Sequence, residues 1–262
     1  MMAWFVSSLA GVLSGALVGF SLGLIGGGGS VLATPLMLYV VGVPQTHVAI
    51  GTSAFAVSIN AFLGFLTHAR ARTVHWRAAL IFAAVGIVGA LVGSTLGKAL
   101  DGQRLLFLFG LAMVIVGVAM LRGRQNGETS VETTIVASDF RVGSVAFFTG
   151  LASGFFGIGG GVLIVPALTF AAGMAMINAI GSSLFAVGTF GLTTAVNYAA
   201  SGLVDWKLAC EFISGGLVGG YLGAQLAMRL CGHRDALKRI FAITIFAVAA
   251  YVLFRSGRSL IG

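Results

Sequence analysis

The chain has 262 residues, of which 58% are apolar and only 8% charged, with a net charge of +8. A soluble domain carries about 25% charged residues to cover itself, so a mean hydropathy of +1.05 excludes a water-solvated globule. The basic residues fall in short clusters between apolar runs, which reads as topology signals and headgroup contacts and excludes a nucleic-acid surface.

The N-terminal stretch Met1-Met2-Ala3-Trp4-Phe5 has no basic region, and the apolar run beginning there reaches about residue 25. A signal-peptide core is ~7–15 residues, so a retained first membrane helix is predicted. Apolar runs follow at roughly 30–43, 46–67, 75–97 and 104–121. A polar stretch, Arg122 to Asp139, then reads as a linker. Beyond it lie runs at roughly 141–157, 161–173, 176–200, 206–229 and 236–255. A spanning helix needs about 20 residues. Most runs meet that; 30–43 and 161–173 do not, and are predicted as half-helices or short supported spans.

The two sides of the linker repeat each other. Gly26-Gly27-Gly28-Gly29-Ser30 through Pro35 recurs as Gly157-Ile158-Gly159-Gly160-Gly161 through Pro166, an offset of 131. At an offset of 130, Gly51-Thr52-Ser53 falls on Gly181-Ser182-Ser183 and Trp76-Arg77 on Trp206-Lys207. Gly86, Gly89 and Gly93 fall on Gly216, Gly219 and Gly223 in the same way. The expected organisation is a first transmembrane repeat at 1–121, a linker at 122–140 and a second repeat at 141–262. Five spans per half would invert the repeats; four plus a re-entrant piece would leave them parallel. Inversion puts ten Lys and Arg on one side and five on the other, parallel halves nine and six. Basic loops favour the cytoplasm, so inversion is the expectation, with both termini outside and the linker inside.

Glycine runs expose backbone groups in a medium that cannot hydrate them, which protein, water or a ligand must offset. Such breaks, repeated in two halves, mark the substrate site of a membrane transporter. Here they are expected to precede helix N-termini, whose free N–H groups and dipole attract an anion. The expected substrate-binding set is Gly26, Gly27, Gly28, Gly29, Ser30, Thr34, Thr52 and Ser53 in the first half. Gly157, Gly159, Gly160, Gly161, Ser182 and Ser183 form its counterpart. For Thr52, Ser53, Ser182 and Ser183 the structural alternative is helix capping or a bond to the previous turn. Pro35 and Pro166 are expected as hinges within the short helices. The motifs Gly15-x-x-x-Gly19, Gly93-x-x-x-Gly97 and Gly219-x-x-x-Gly223 are read as close helix packing.

Glu211 is the candidate for proton coupling, against the alternative of pairing with Lys207 one turn earlier. Asn60, Asn197 and Tyr198 are expected to face the bundle or its cavity. Cys210 and Cys231 read as small packing residues. No His/Asp/Glu cluster has metal-site spacing, so neither metal nor other cofactor is expected. Gly93-Ser94-Thr95-Leu96-Gly97-Lys98-Ala99 is one residue too short for a phosphate-binding loop and lacks its Ser or Thr. No catalytic residue and no enzyme activity are expected.

The doubled Gly-x-Gly-Gly-Gly with a following proline, the Gly-Thr/Ser-Ser pairs and the Trp-Arg/Lys pairs resemble the TauE/SafE sulfite exporter family. The resemblance covers residues 8 to 255, with Ser30 departing from the pattern where the last glycine falls. It implies movement of sulfite, sulfonates or related organosulfur anions across the bacterial inner membrane. The expected protein is an all-α, polytopic membrane helix bundle of two homologous halves. It would act as a secondary transporter of a small sulfur-containing anion by alternating access, and homo-oligomerisation stays open. A passive channel or facilitator, and a membrane module without transport, are the alternatives.

Overall fold

The computed structural model describes residues 2–25, 27–70, 72, 74–122, 139–157, 159–172, 176–229 and 246–256. Among them there is helix and turn but no strand. Helix α1 (Met2–Ile25) leads through a 3-10 segment, Gly27–Leu32, into the short α2 (Ala33–Tyr39). Three long helices follow: α3 (Thr46–Arg70), α4 (Trp76–Ala99) and α5 (Gly102–Arg122). Beyond the linker come α6 (Asp139–Phe156), the 12-residue α7 (Gly161–Ala172), α8 (Met176–Ala199) and α9 (Trp206–Arg229). A last apolar helix, α10, spans Phe246–Ser256. The polar linker core, Gly26, Ile158 and Cys231 lie outside the described residues.

Among the described residues four helices are long and apolar enough to cross a membrane: Ser7–Leu24 within α1, α3, α4 and Asn178–Ala199 within α8. At about 1.5 Å per residue α7 reaches only about 18 Å, too short to cross a ~30 Å hydrocarbon core, as its sequence predicts. A multi-pass, all-helical membrane protein follows.

Helices α3 and α8 form the centre and carry small buried residues such as Ala54, Ala56, Ala61 and Ala186. Their partners descend in register: Gly191 lies on Ala54 and Ser58, Gly188 on Phe62 and Gly64 on Leu184. The two helices are therefore antiparallel. Helix α1 lies along α9 with partners ascending, Gly15 on Phe212, Gly19 on Gly216 and Gly23 on Gly220, so this pair is parallel. Helix α4 lies along α6 in the same sense, Gly89 on Phe147, Gly93 on Leu151 and Gly97 on Phe155. Helices α5 and α10 are antiparallel, Gly110 meeting Leu253 and Gly117 meeting Phe246.

The glycine stripes set these close approaches. A methyl on Gly15, Gly93, Gly219 or Gly223 would land on a backbone carbonyl of the neighbouring helix, so only glycine permits the contact. This is the small-residue packing of helices in lipid, where dispersion and backbone proximity replace the hydrophobic drive. The opposite faces are apolar and exposed: Val88 and Leu91 on α4, Val218 and Leu222 on α9. Trp76 and Trp206 begin these two helices, each exposed and each edge-on to a phenylalanine of α3, Phe65 and Phe55.

Candidate functional site

The two glycine segments adopt different backbones. In the second, Gly157, Gly159 and Gly160 have φ of +66°, +68° and +71°. That left-handed region costs an L-residue roughly 1–2 kcal/mol and glycine nothing. In the first, Gly27, Gly28 and Gly29 are wound into the 3-10 segment, and none has positive φ. The expected break ahead of a helix beginning at residue 30 is replaced by a continuous helical path into α2. Glycine accepts either hand, so the surroundings decide. Gly29 is pressed against the backbone of Ser21 and Leu22 in α1, leaving no room for a side chain.

The turn Gly159–Gly160 sits at the heart of the bundle. A methyl on Gly159 would lie 3.2 Å from Val187 Cγ1 and 3.3 Å from Val57 Cγ1, the mid-points of the two central helices. Gly160 ends the turn, its carbonyl accepting from the amides of Leu163 and Ile164 at 2.9 Å each. No backbone carbonyl of a described residue accepts from the amides of Gly159, Gly160, Gly161 or Val162. Helix α7 thus presents its positive end at mid-bundle. Pro166, its sixth residue, does not interrupt the helix. Pro35 is the third residue of α2, just past the junction of 3-10 and α-helix.

The Gly-Thr/Ser-Ser pairs divide their work. Thr52 Oγ1 accepts the Asp205 amide at 2.9 Å, and Ser182 Oγ accepts the His75 amide at 3.1 Å. Asp205 and His75 immediately precede α9 and α4, so each central helix fastens the start of a helix from the other side of the linker. Asp205 in turn caps α9 through Oδ1, which accepts the Leu208 amide at 3.0 Å. The second hydroxyl of each pair bonds back along its own helix, Ser53 to Ile50 O at 3.1 Å and Ser183 to Ile180 O at 2.8 Å. Ser53 also pairs with Thr34 of α2, 3.0 Å between oxygens. Ser30 is fully buried.

Glu211 lies on α9, where its carboxylate accepts from Ser8 of α1 at 2.8 Å and stands 3.7 Å from the Lys207 ammonium. Asn197 is tied up away from the turn: its amide donates to Ser94 and Thr95, and its Oδ1 accepts from Lys98 at 2.8 Å. Lys98 also donates to Asn197 O and Ser201, so the loop-like motif around it is the last turn of α4. Tyr198 is fully buried with its hydroxyl unpartnered, and Cys210 is an exposed free thiol.

Asn60, expected to face the bundle or its cavity, has neither amide atom bonded and lies against Gly216 at mid-height of α3 and α9. Sequence reasoning passed over one pair of residues. Ser21 and Ser153, in the last turns of α1 and α6, are buried with unpartnered hydroxyls, and each touches a glycine segment. An unmet buried hydroxyl costs about 1–3 kcal/mol, so such groups call for an explanation. The signal available beforehand was a serine within two turns of each glycine run.

A family model described as sulfite exporter TauE/SafE matches residues 11–252. A protein of Xylella fastidiosa (strain Temecula1 / ATCC 700964) named probable membrane transporter protein is 57% identical over 249 residues, covering 95% of each chain. The probable membrane transporter protein YunE of Bacillus subtilis (strain 168) is 27% identical over 264 residues, 93% of this chain and 96% of its own. A probable membrane transporter protein of Haemophilus influenzae is 30% identical over 205 residues, 76% of each. No solved structure matches the chain.

Proposed function

Taking as premise that the chain belongs to the sulfite exporter TauE/SafE family of membrane transporters, we propose that it is a secondary carrier of a small sulfur-containing anion. Sulfite and short sulfonates are the intended cargo, moved across a bacterial inner membrane. The observation that carries this reading is the left-handed turn Gly159–Gly160 between Val57 and Val187. It delivers amides that no backbone carbonyl of a described residue meets, and the positive end of α7, to the middle of a membrane bundle, where a small oxyanion is the natural partner.

The two repeats, 1–121 and 141–262, are inverted in this reading. Antiparallel α3 and α8, antiparallel α5 and α10, and the parallel pairs α1–α9 and α4–α6 support that arrangement. A two-fold axis in the membrane plane turns each repeat-one helix upside down onto its repeat-two equivalent; an axis along the normal leaves equivalents parallel. The ties Thr52–Asp205 and Ser182–His75 exchange under the same offset. Alternating access then means exchange of backbone states, the wound segment at Gly27–Gly29 opening as the turn at Gly157–Gly160 winds. Pro35 and Pro166 serve as the hinges of that exchange.

The binding set is Gly26 to Ser30 with Thr34, Thr52 and Ser53, and Gly157, Gly159, Gly160 and Gly161 with Ser182 and Ser183. Thr52 and Ser182 accept from the backbone and keep their own protons for donation to the anion.

The test is flux of sulfite and methanesulfonate in proteoliposomes, with and without an imposed pH gradient. Saturable flux of either anion is expected, and a response to the gradient would make the carrier proton-linked. Flux that never saturates would replace the carrier by a channel. No flux of either anion through folded protein would remove the sulfur assignment.

A further inference from the structure

Hydroxyls in the membrane helices follow one habit here, and a few depart from it. Ser58, Ser94, Thr149, Ser183, Thr189 and Ser214 each donate to a carbonyl of the preceding turn. That bond is always within reach of a helical serine or threonine, so a buried hydroxyl that forgoes it needs a reason. Ser153 forgoes it. It is wholly buried, its Oγ has no partner, and it stands where a methyl on Gly160 would lie 2.7 Å from both Ser153 Cβ and Oγ. The hydroxyl therefore touches the left-handed turn at the moment the chain reverses into α7. Ser21 of α1, also buried and unpartnered, meets Gly29 through its backbone carbon and Cβ rather than its hydroxyl.

We propose that Ser153 is a substrate-binding hydroxyl, completing with the amides at the start of α7 a site for a singly charged oxyanion. The proposal rests on the anion-carrier reading above and adds to it one residue and one restriction on charge. Each partner alone is incomplete. The amides fix an oxygen by dipoles, and the Ser153 proton supplies a donor from the opposite wall of the turn. All these donors are neutral. Among the described residues no Lys or Arg atom is one of the nearest neighbours of Gly157, Gly159 or Gly160, and Lys98, at the end of α4, is committed to Asn197 and Ser201. Neutral dipoles at membrane depth can hold one negative charge; a second carries a desolvation penalty that dipoles alone do not offset.

Transport kinetics of the whole protein in proteoliposomes test this with methanesulfonate as probe. Ser153→Ala should raise KM for methanesulfonate about tenfold or more with little change in kcat, the loss expected of a hydrogen bond to a charged group. Ser153→Cys, similar in volume and a weaker donor, should fall between. Because the alanine removes a buried unmet hydroxyl, its melting temperature without substrate should hold or rise, which a merely structural serine would not allow. Ser58→Ala, whose hydroxyl is bonded within α3, serves as the control with unchanged KM. Sulfate, a dianion of similar shape, should not compete at concentrations where methanesulfonate does.

Wild-type KM in a folded Ser153→Ala protein would overturn the role of Ser153 and leave the carrier reading standing. Competition by sulfate equal to that of methanesulfonate would overturn the charge restriction. If the wild-type protein moves no sulfur anion, the carrier reading fails and this proposal with it. A Ser153→Ala protein that does not fold would itself assign Ser153 a structural role and end the proposal.

Discussion

The segments at Gly27–Gly29 and Gly157–Gly160 differ by little in composition and by nearly everything in backbone. One is wound into a 3-10 path that runs straight into α2; the other is a left-handed turn that opens the start of α7. Each touches one buried, unpartnered serine on the helix before it. Glycine is the one residue that pays nothing for either hand of φ, so a glycine run is suited to a chain that must occupy both states. If the halves exchange these states during transport, the requirement for glycine differs at equivalent positions in any single conformation.

The largest effect should come from Gly160→Val. A branched side chain there would meet Ser153 and force a β-branched residue into φ +71°, so flux should vanish while the protein still elutes as a folded species. Retained flux would break the assignment of this turn as the site. Next is the pair Gly159→Ala and Gly28→Ala. Alanine at Gly159 meets both valines and a φ of +68°, and should destabilise by roughly 1–2 kcal/mol. Alanine at Gly28, within the 3-10 segment, should hold or raise the melting temperature while slowing turnover, because it favours the wound state. Equal loss of stability in both variants would show that the two backbones are not distinct in solution.

Smaller effects probe the ties between the halves. Thr52→Val and Ser182→Ala each leave a helix-start amide unmet, and each should cost about 1 kcal/mol in thermal unfolding. Comparable losses would sharpen the symmetry of the halves; a loss in one alone would break it. The smallest change is expected for Glu211→Gln. Glu211 is part-buried, held by Ser8, and lies 3.7 Å from the exposed Lys207, an i,i+4 pair of the kind that contributes below about 1 kcal/mol. Gradient-driven flux should persist; its disappearance would make Glu211 the coupling carboxylate.

Much of this molecule was legible in its residues. Composition places it in a membrane, run lengths mark α7 as too short to cross, and glycine spacing marks the tight seams of α1 with α9 and α4 with α6. These are properties of local chemistry: hydropathy sets the solvent, and a side chain one atom long sets how near two helices come. The matching of Thr52 with Ser182 was visible as well, though not that each fastens a helix start across the linker. That bond joins residues 153 positions apart in one case and 107 in the other, beyond any local signal.

Hydropathy and the shortness of α7 were fixed by the chain alone, since each depends only on neighbours in sequence, and the internal echo at an offset of 131 is read directly from the residues. The hand of the backbone at Gly28 and Gly159, the loneliness of Ser153 and the relative direction of α3 and α8 were decided by tertiary packing. Glycine has no preference of its own to read, a serine beside a free carbonyl predicts a bond that it here forgoes, and helix direction follows from where the chain next turns. The deciding atoms belong to other helices: Ser21 of α1 at Gly29, Val57 of α3 and Val187 of α8 at Gly159, Phe62 of α3 at Gly188.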